Sequence, residues 1–186
     1  MSDVSRVGAY PKTVVLTDGA HLVLRVAVPA DAPALTALGT HLPPGMRWEP
    51  ANDPVVSRPD NRPARVLTVV ACDAERVVAA ATLTRPAESS GATDDLASVA
   101  VRIDPAYQGR RLGTWMLLDC VHLAAALDIE LLVALAHPED EAYLAALHRL
   151  DFVDDGALRR RHRFPEVDAS RVLALVKAVH REWTDF

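Results

Sequence analysis

Hydrophobic and polar positions alternate with a period of two from Leu96 to Ile103. Val99, Val101 and Ile103 fall on one side, and Ser98, Ala100 and Arg102 on the other, which predicts a half-buried strand. After Asp104 and Pro105 the period changes. Leu112, Met116, Cys120, Leu123 and Leu127 recur at helical spacing, with further apolar residues on the neighbouring face, so the helix is expected to be buried along much of its surface. Between the two lies a turn with Gly109 and Gly113 and the arginines Arg110 and Arg111. Residues 96–127 therefore read as strand, basic turn and helix.

The same patterning places the other elements. Thr13–Leu16 and His21–Val28 are β-branched apolar runs around Thr17-Asp18-Gly19-Ala20, a hairpin signal because glycine supplies positive φ at low cost, so 12–28 reads as an N-terminal hairpin. Pro29-Ala30-Asp31-Ala32-Pro33 opens a helix with Asp31 as its expected N-cap, a stripe of Ala34, Leu35 and Leu38, and Gly39 at its end. Arg65–Ala71 and Val77–Thr84 form a second hairpin around residues 73–76. A short apolar run, Glu130–Ala136, follows the long helix; strand, helix, strand in that order implies a parallel pair with a right-handed crossover. Pro138-Glu139-Asp140-Glu141 begins another helix, with acidic residues where the dipole favours them and a stripe of Tyr143, Leu144, Leu147 and Leu150. A strand is expected from Asp151 to about Leu158. The run Arg171–Val179 suits a strand or a helix by composition. Between His41 and Pro63 six prolines, at 43, 44, 50, 54, 59 and 63, interrupt any period, and such a long irregular segment in a compact domain is usually functional or mobile. Met46 and Trp48 are its apolar anchors.

Composition narrows the class. A chain of 186 residues and 20.1 kDa fits one domain, 1–186, with a core that needs no disulfides. No apolar run approaches a membrane span, and Met1–Arg6 lacks the apolar stretch of a signal peptide, so a soluble, cytoplasmic protein is expected. The formal charge of −5 argues against a general nucleic-acid binder. The one concentrated basic run, Arg159-Arg160-Arg161-His162-Arg163, suits a solvated hairpin face, or an attractant for an acidic partner or for phosphates. Cys72 and Cys120 sit inside regular elements and read as buried thiols. His122, His137 and Asp119 lack metal-ligand spacing, so no metal is expected, and Ser89 and Ser90 have no nucleophile elbow around them.

The basic turn carries the chemistry. The first amides of a helix have no internal partner, and the aligned peptide dipoles leave partial positive charge there. Glycines allow close backbone approach to a phosphate, and Gln108, Arg110 and Arg111 add donors. The alternative is an ordinary strand-to-helix connection with solvated arginines.

Gln108-Gly109-Arg110-Arg111-Leu112-Gly113 resembles the Gln/Arg-x-x-Gly-x-Gly/Ala signature of the GNAT superfamily of acyl-CoA-dependent N-acyltransferases, with Arg111 at the first motif glycine. The resemblance extends over nearly the whole element order. The opening Tyr10-Pro11-Lys12 to Arg25, followed by Pro-Ala-Asp, is also similar to the catalytic domain of bacterial protein lysine acetyltransferases. It implies an α/β (α+β) fold, a mixed central sheet of about seven strands with helices on both faces, and it favours a strand over 171–179 within C-terminal strands spanning 152–179. It implies acetyl-CoA as co-substrate, its pantetheine arm along Val99, Ala100, Val101 and Ile103, and its pyrophosphate over Gln108, Gly109, Arg110, Arg111, Leu112, Gly113 and Thr114. Residues 41–63 would lie beside the acceptor.

By the same resemblance the chain is an acetyl-CoA-dependent N-acetyltransferase acting on a primary amine, or a catalytically lapsed domain that binds acyl-CoA. Members commonly carry a glutamate base where this chain has Ser98, and a tyrosine where it has Leu147. Asp94 and Asp95 stand close by as substitutes for the base, directly or through water, and Tyr143, one turn before Leu147, as the group beside the leaving thiolate. An amine acceptor is the expected partner, with a homodimer open through exposed edge strands.

Overall fold

The computed structural model describes residues 10–39, 66–85, 96–155 and 173–179. Among them, β1 (Lys12–Val15), β2 (His21–Val26), α1 (Ala32–Gly39), β3 (Val66–Asp73), β4 (Arg76–Thr84), β5 (Leu96–Ile103), α2 (Leu112–Ala126), β6 (Leu131–Ala136), α3 (Glu141–Arg149), β7 (Val153–Asp154) and β8 (Leu173–Ala178) follow in that order. The eight strands form one mixed sheet, ordered β1-β2-β3-β4-β5-β6-β8-β7. That is one strand more than the seven or so expected. The strand expected from Asp151 to about Leu158 is β7, Val153–Asp154, on the sheet edge, and 156–158 lie outside the described residues.

Both hairpins form where the pattern places them. Gly19 takes φ +83 in the first turn, and the Asp18 carboxylate accepts from the Ala20 amide. The second closes through Ala74, itself at φ 51. Asp31 does not cap α1. It sits in a 3-10 turn ahead of the helix, where its carboxylate accepts from the Val28 amide at 2.8 Å and from both Arg25 nitrogens at 2.7 and 2.8 Å. The charged pair outcompetes the capping role because two guanidinium donors and one amide already occupy its oxygens. Of the run expected at 171–179, Leu173–Ala178 is strand, β8, antiparallel to β6.

Helices cover both faces of the sheet. Leu35 and Leu38 of α1 pack with Val70, Cys72 and Ala80. Leu112, Met116, Leu117, Cys120 and Leu123 of α2 pack with Val69, Ala71, Ala81, Val99 and Val101, and Leu147 of α3 and Phe152 join this larger cluster. Neighbouring strand residues thus divide between two cores, as the pleat requires. Cys72 and Cys120 are buried and free. Burial pushes both thiols above their ordinary pKa, so neither is a ready nucleophile. Among the described residues no helix is long and apolar enough to cross a membrane, and no His, Cys, Asp and Glu group could hold a metal.

Candidate acyl-donor site

The parallel pair β5 and β6 is in register from Leu96 with Leu131 to Val99 with Ala134, and no further. Yet β5 continues to Ile103 and β6 to Ala136. On their outer sides both stay paired, β5 with β4 as far as Ile103 with Ala79, and β6 with β8 as far as Ala136 with Leu173. The two strands therefore part from Ala100 onward. Main-chain donors and acceptors of β5 facing that gap are left for another extended chain to use.

The gap opens on the start of α2. A short 3-10 turn, Pro105–Tyr107, is capped by the Asp104 carboxylate, which accepts from the Ala106 amide at 2.9 Å and also holds Arg76. Gly109 then takes φ +73, and Arg111, at the N-cap of α2, takes φ 65. The first bond within the helix runs from the Trp115 amide to the Arg111 carbonyl at 3.2 Å, so the amides ahead of it point out of the helix end. Gly113 lies against β5: a Cβ there would stand 3.2 Å from Ile103 Cδ1. The backbone is thus seated close on the strand, with donors turned toward the gap.

A cavity of about 500 Å³ occupies this place, walled by β5 from Val101 to Ile103, the loop from Tyr107 to Gly109, the start of α2 from Arg111 to Thr114, and α3 around Tyr143, with Leu38 of α1. Of the expected cofactor residues, Val101, Ile103, Gln108, Gly109, Arg111, Leu112, Gly113 and Thr114 line it. Val99 is the last paired residue, and its side chain is in the α2 core; Ala100 begins the open part of the strand. Arg110 turns away. Its guanidinium pairs with Asp18 at 2.9 Å, beside the Tyr107 ring, while its carbonyl accepts from the Thr17 amide. Gln108 Nε2 donates to the Ile103 carbonyl at 3.3 Å, tying the loop to the strand end.

The expected catalytic residues divide. Asp94 and Asp95 lie outside the described residues, as do 41–63 with Met46 and Trp48, Ser89 and Ser90, and the basic run 159–163. Ser98 lies on the face opposite the α2 core, and its hydroxyl donates to the Thr84 carbonyl at 3.3 Å. It carries no charge with which to take a proton. Tyr143 lines the cavity, its hydroxyl oxygen buried and without a hydrogen-bond partner among the described residues. Burial holds that phenol well above its ordinary pKa, against an opposing pull from Arg102, so it is a neutral donor at any physiological pH. Leu147 is fully buried in the core. Its neighbour His148 is exposed on α3.

Arg102 was not singled out by its pattern beyond its place on the polar side of β5. Its guanidinium donates to the Val101 carbonyl at 2.8 Å from within the cavity wall. Burial lowers its affinity for the proton, with Tyr143 and Asp140 acting in the other direction. An arginine among the alternating residues of a strand was the available signal.

Comparison with known proteins agrees with this geometry. The family model described as Acetyltransferase (GNAT) family matches residues 37–152. A search of curated proteins returned no match. The GNAT domain of S. lividans PAT is similar in structure, with TM-score 0.66 and 17% identity over 90% of this chain and 96% of that one. YncA from Salmonella typhimurium, a putative acetyltransferase solved with its cofactor acetyl-CoA, has TM-score 0.62 and 19% identity over 86% and 94% of the two chains. Mycobacterium smegmatis RimJ, solved in complex with CoA-disulfide, has TM-score 0.63 and 22% identity over 95% and 91%. With its mixed sheet, parted central strands and glycine-bearing turn at the head of α2, the chain belongs to the GNAT family of acetyltransferases.

Proposed function

We propose that the protein is an acetyl-CoA-dependent N-acetyltransferase that transfers an acetyl group to a primary amine, of a small molecule or a protein lysine, by direct attack in a ternary complex. The observation that carries this reading is the parting of β5 and β6 beyond Val99 and Ala134, directly in front of the open amides of α2. A pantetheine arm is an extended chain of amides, and a pyrophosphate is an anion; the gap offers main-chain partners to the first, and the helix start offers dipole and amides to the second. Acetyl-CoA, when bound, supplies an activated thioester.

The chain's own residues then have three tasks. Main-chain amides of β5 from Ala100 onward orient the donor and polarise its carbonyl. The Tyr143 hydroxyl, neutral and buried in the same cavity, holds a proton for the departing sulfur. Asp94 or Asp95, directly or through water, takes the proton of the amine, because Ser98 has no carboxylate to do so. Holding both partners side by side contributes much of the rate, which lowers the demand on acid and base.

The second reading is a domain that binds acyl-CoA without turnover, as a sensor or interaction module. Ser98 and Leu147 favour it, since both stand where the family commonly has reacting groups.

Calorimetric titration with acetyl-CoA, followed by thiol release with a panel of amino acids, polyamines and lysine peptides, separates the two. Micromolar binding with thiol release supports the enzyme. Binding without release across the panel supports the second reading, and a folded protein that binds no acetyl-CoA overturns both.

A further inference from the structure

The loop that leads into the open amides of α2 is held from outside by the second hairpin. Asp73 and Arg76 face each other across the end of β3 and β4, so their side chains leave the hairpin on the same side. The Asp73 carboxylate accepts from the Tyr107 hydroxyl, and the Arg76 guanidinium donates to the Asp104 carboxylate. Between these two ties lies the 3-10 turn Pro105–Tyr107, which the same Asp104 carboxylate caps by accepting from the Ala106 amide at 2.9 Å. The Asp104 amide adds a main-chain bond to the Val78 carbonyl at 2.8 Å. Both ends of the turn are thus fixed to one hairpin, immediately before Gln108 and Gly109 enter the cavity wall.

The loop has need of such ties. Arg111 takes φ 65 at the N-cap of α2, a left-handed conformation that glycine adopts freely and that other residues keep only where their surroundings hold them. The ties add little to the stability of the fold as a whole, because the Arg76 side chain is 64% exposed and exposed pairs contribute little. Their effect is local. A loop that must be ordered when its ligand arrives loses affinity by that ordering, whereas one already ordered does not. We propose that Asp73 and Arg76 are positioning residues of the acyl-donor site: acting through Tyr107 and Asp104, they hold residues 104–111 in the conformation that turns the α2 amides toward a pyrophosphate. What is bound rests on the acetyltransferase reading; the order of the loop is a property of the free chain. Arg110 has no equal part, because the bond from the Thr17 amide to its carbonyl survives truncation of the side chain.

The test compares the wild type with Asp73→Ala, Arg76→Ala, the double variant, and the conservative Asp73→Asn and Arg76→Lys. Hydrogen–deuterium exchange of the ligand-free protein reads the loop, where the amides of Asp104, Ala106, Tyr107 and Gln108 are all hydrogen-bonded. In the double variant these amides are expected to exchange about tenfold faster, with β5, β6 and α2 beyond Trp115 unchanged and the melting temperature within about 1 °C of wild type. Calorimetric titration is expected to show CoA bound about fivefold more weakly, the scale set by exposed pairs. With an amine that is turned over, KM for acetyl-CoA rises in step while kcat stays within about twofold. Asp73→Asn keeps an acceptor and Arg76→Lys keeps a cation, so each restores most of the protection and of the affinity.

Unchanged exchange over 104–108 in the double variant overturns the proposal, and so does faster exchange with unchanged CoA affinity. A loss of affinity that follows a fall in melting temperature, without rescue by the conservative variants, also overturns it, since that is a defect of folding. Should the double variant fail to fold, the single variants decide by the same criteria. Faster loop exchange in the variants of a protein that binds no CoA supports the hold on the loop and overturns the acyl-CoA reading alone.

Discussion

Val99 and Ala134 are the last residues at which β5 and β6 face each other in register, and Gly113 sits just past the point where they part, with Ile103 against it. A side chain at 113 crowds Ile103 Cδ1, and a carboxylate there adds charge of the wrong sign to an anion site. Gly113→Asp is expected to weaken acetyl-CoA binding at least tenfold while the protein stays folded, because an acid in the first turn suits the helix dipole. Arg110→Ala, by contrast, is expected to change that affinity less than threefold, since Arg110 is turned to Asp18. Titration calorimetry on both variants checks the contrast; equal losses would sink the placement of the phosphate site.

Asp119 ties the N-terminal strand to α2. Its buried carboxylate accepts from the Tyr10 hydroxyl and, at 2.6 Å, from Lys12 Nζ. Asp119→Ala strands a half-buried ammonium and a hydroxyl, and is expected to cost about 2–3 kcal/mol. Tyr10→Phe removes one donor only and is expected to cost about 1 kcal/mol. Urea unfolding of the two variants measures both, and an Asp119→Ala cost no larger than that of Tyr10→Phe would remove the ion pair from the account.

The Arg25–Asp31 pair makes stability depend on pH. Hydrogen bonds from Arg25 hold the Asp31 carboxyl below its ordinary range, outweighing burial. The native state then binds fewer protons than the unfolded chain near pH 4, so the contribution is complete above that range and is lost as pH falls through the depressed folded value. Asp31→Asn is expected to cost about 1–3 kcal/mol at pH 7, with the gap to wild type closing below about pH 4. A gap that stays constant down to pH 3 would contradict the assignment.

Asp151 follows α3 in the left-handed region, φ 60, where glycine is the natural choice. Its 3.9 Å approach to Lys177 is largely solvated and contributes little. Asp151→Gly relieves backbone strain, and the larger entropy of an unfolded glycine offsets part of the gain, so a net stabilisation of about 0.5 kcal/mol is expected from the urea midpoint. Destabilisation would mean that the aspartate side chain contributes more than its strain costs.

Much of this protein was legible along the chain. Periods of two and 3.6 located both hairpins, the strand at 96–103, the long helix and the short strand after it, because each such element buries one face and repeats its apolar residues accordingly. The turn at 108–114 was legible through its glycines and arginines. Asp31 was less so. Capping and ion pairing call for the same residue type, and only the arrival of Arg25 from β2 decided between them. The same holds for 171–179, where an apolar run suits either period until β6 offers it an edge.

What the sequence by itself determined is local: periodicity, turn chemistry, and the family signature that goes with them. What only the tertiary structure decided is which groups meet. Arg110 and Arg111 are neighbours in a motif, yet one turns to Asp18 and the other opens α2, because a left-handed residue reverses the direction of the backbone. The gap between β5 and β6 has no sequence signal, since it arises where two strands cease to pair and each is held by a different neighbour. Arg102 and Tyr143 are 41 positions apart, and the cavity they both line exists only once α3 has packed against α2 and β6.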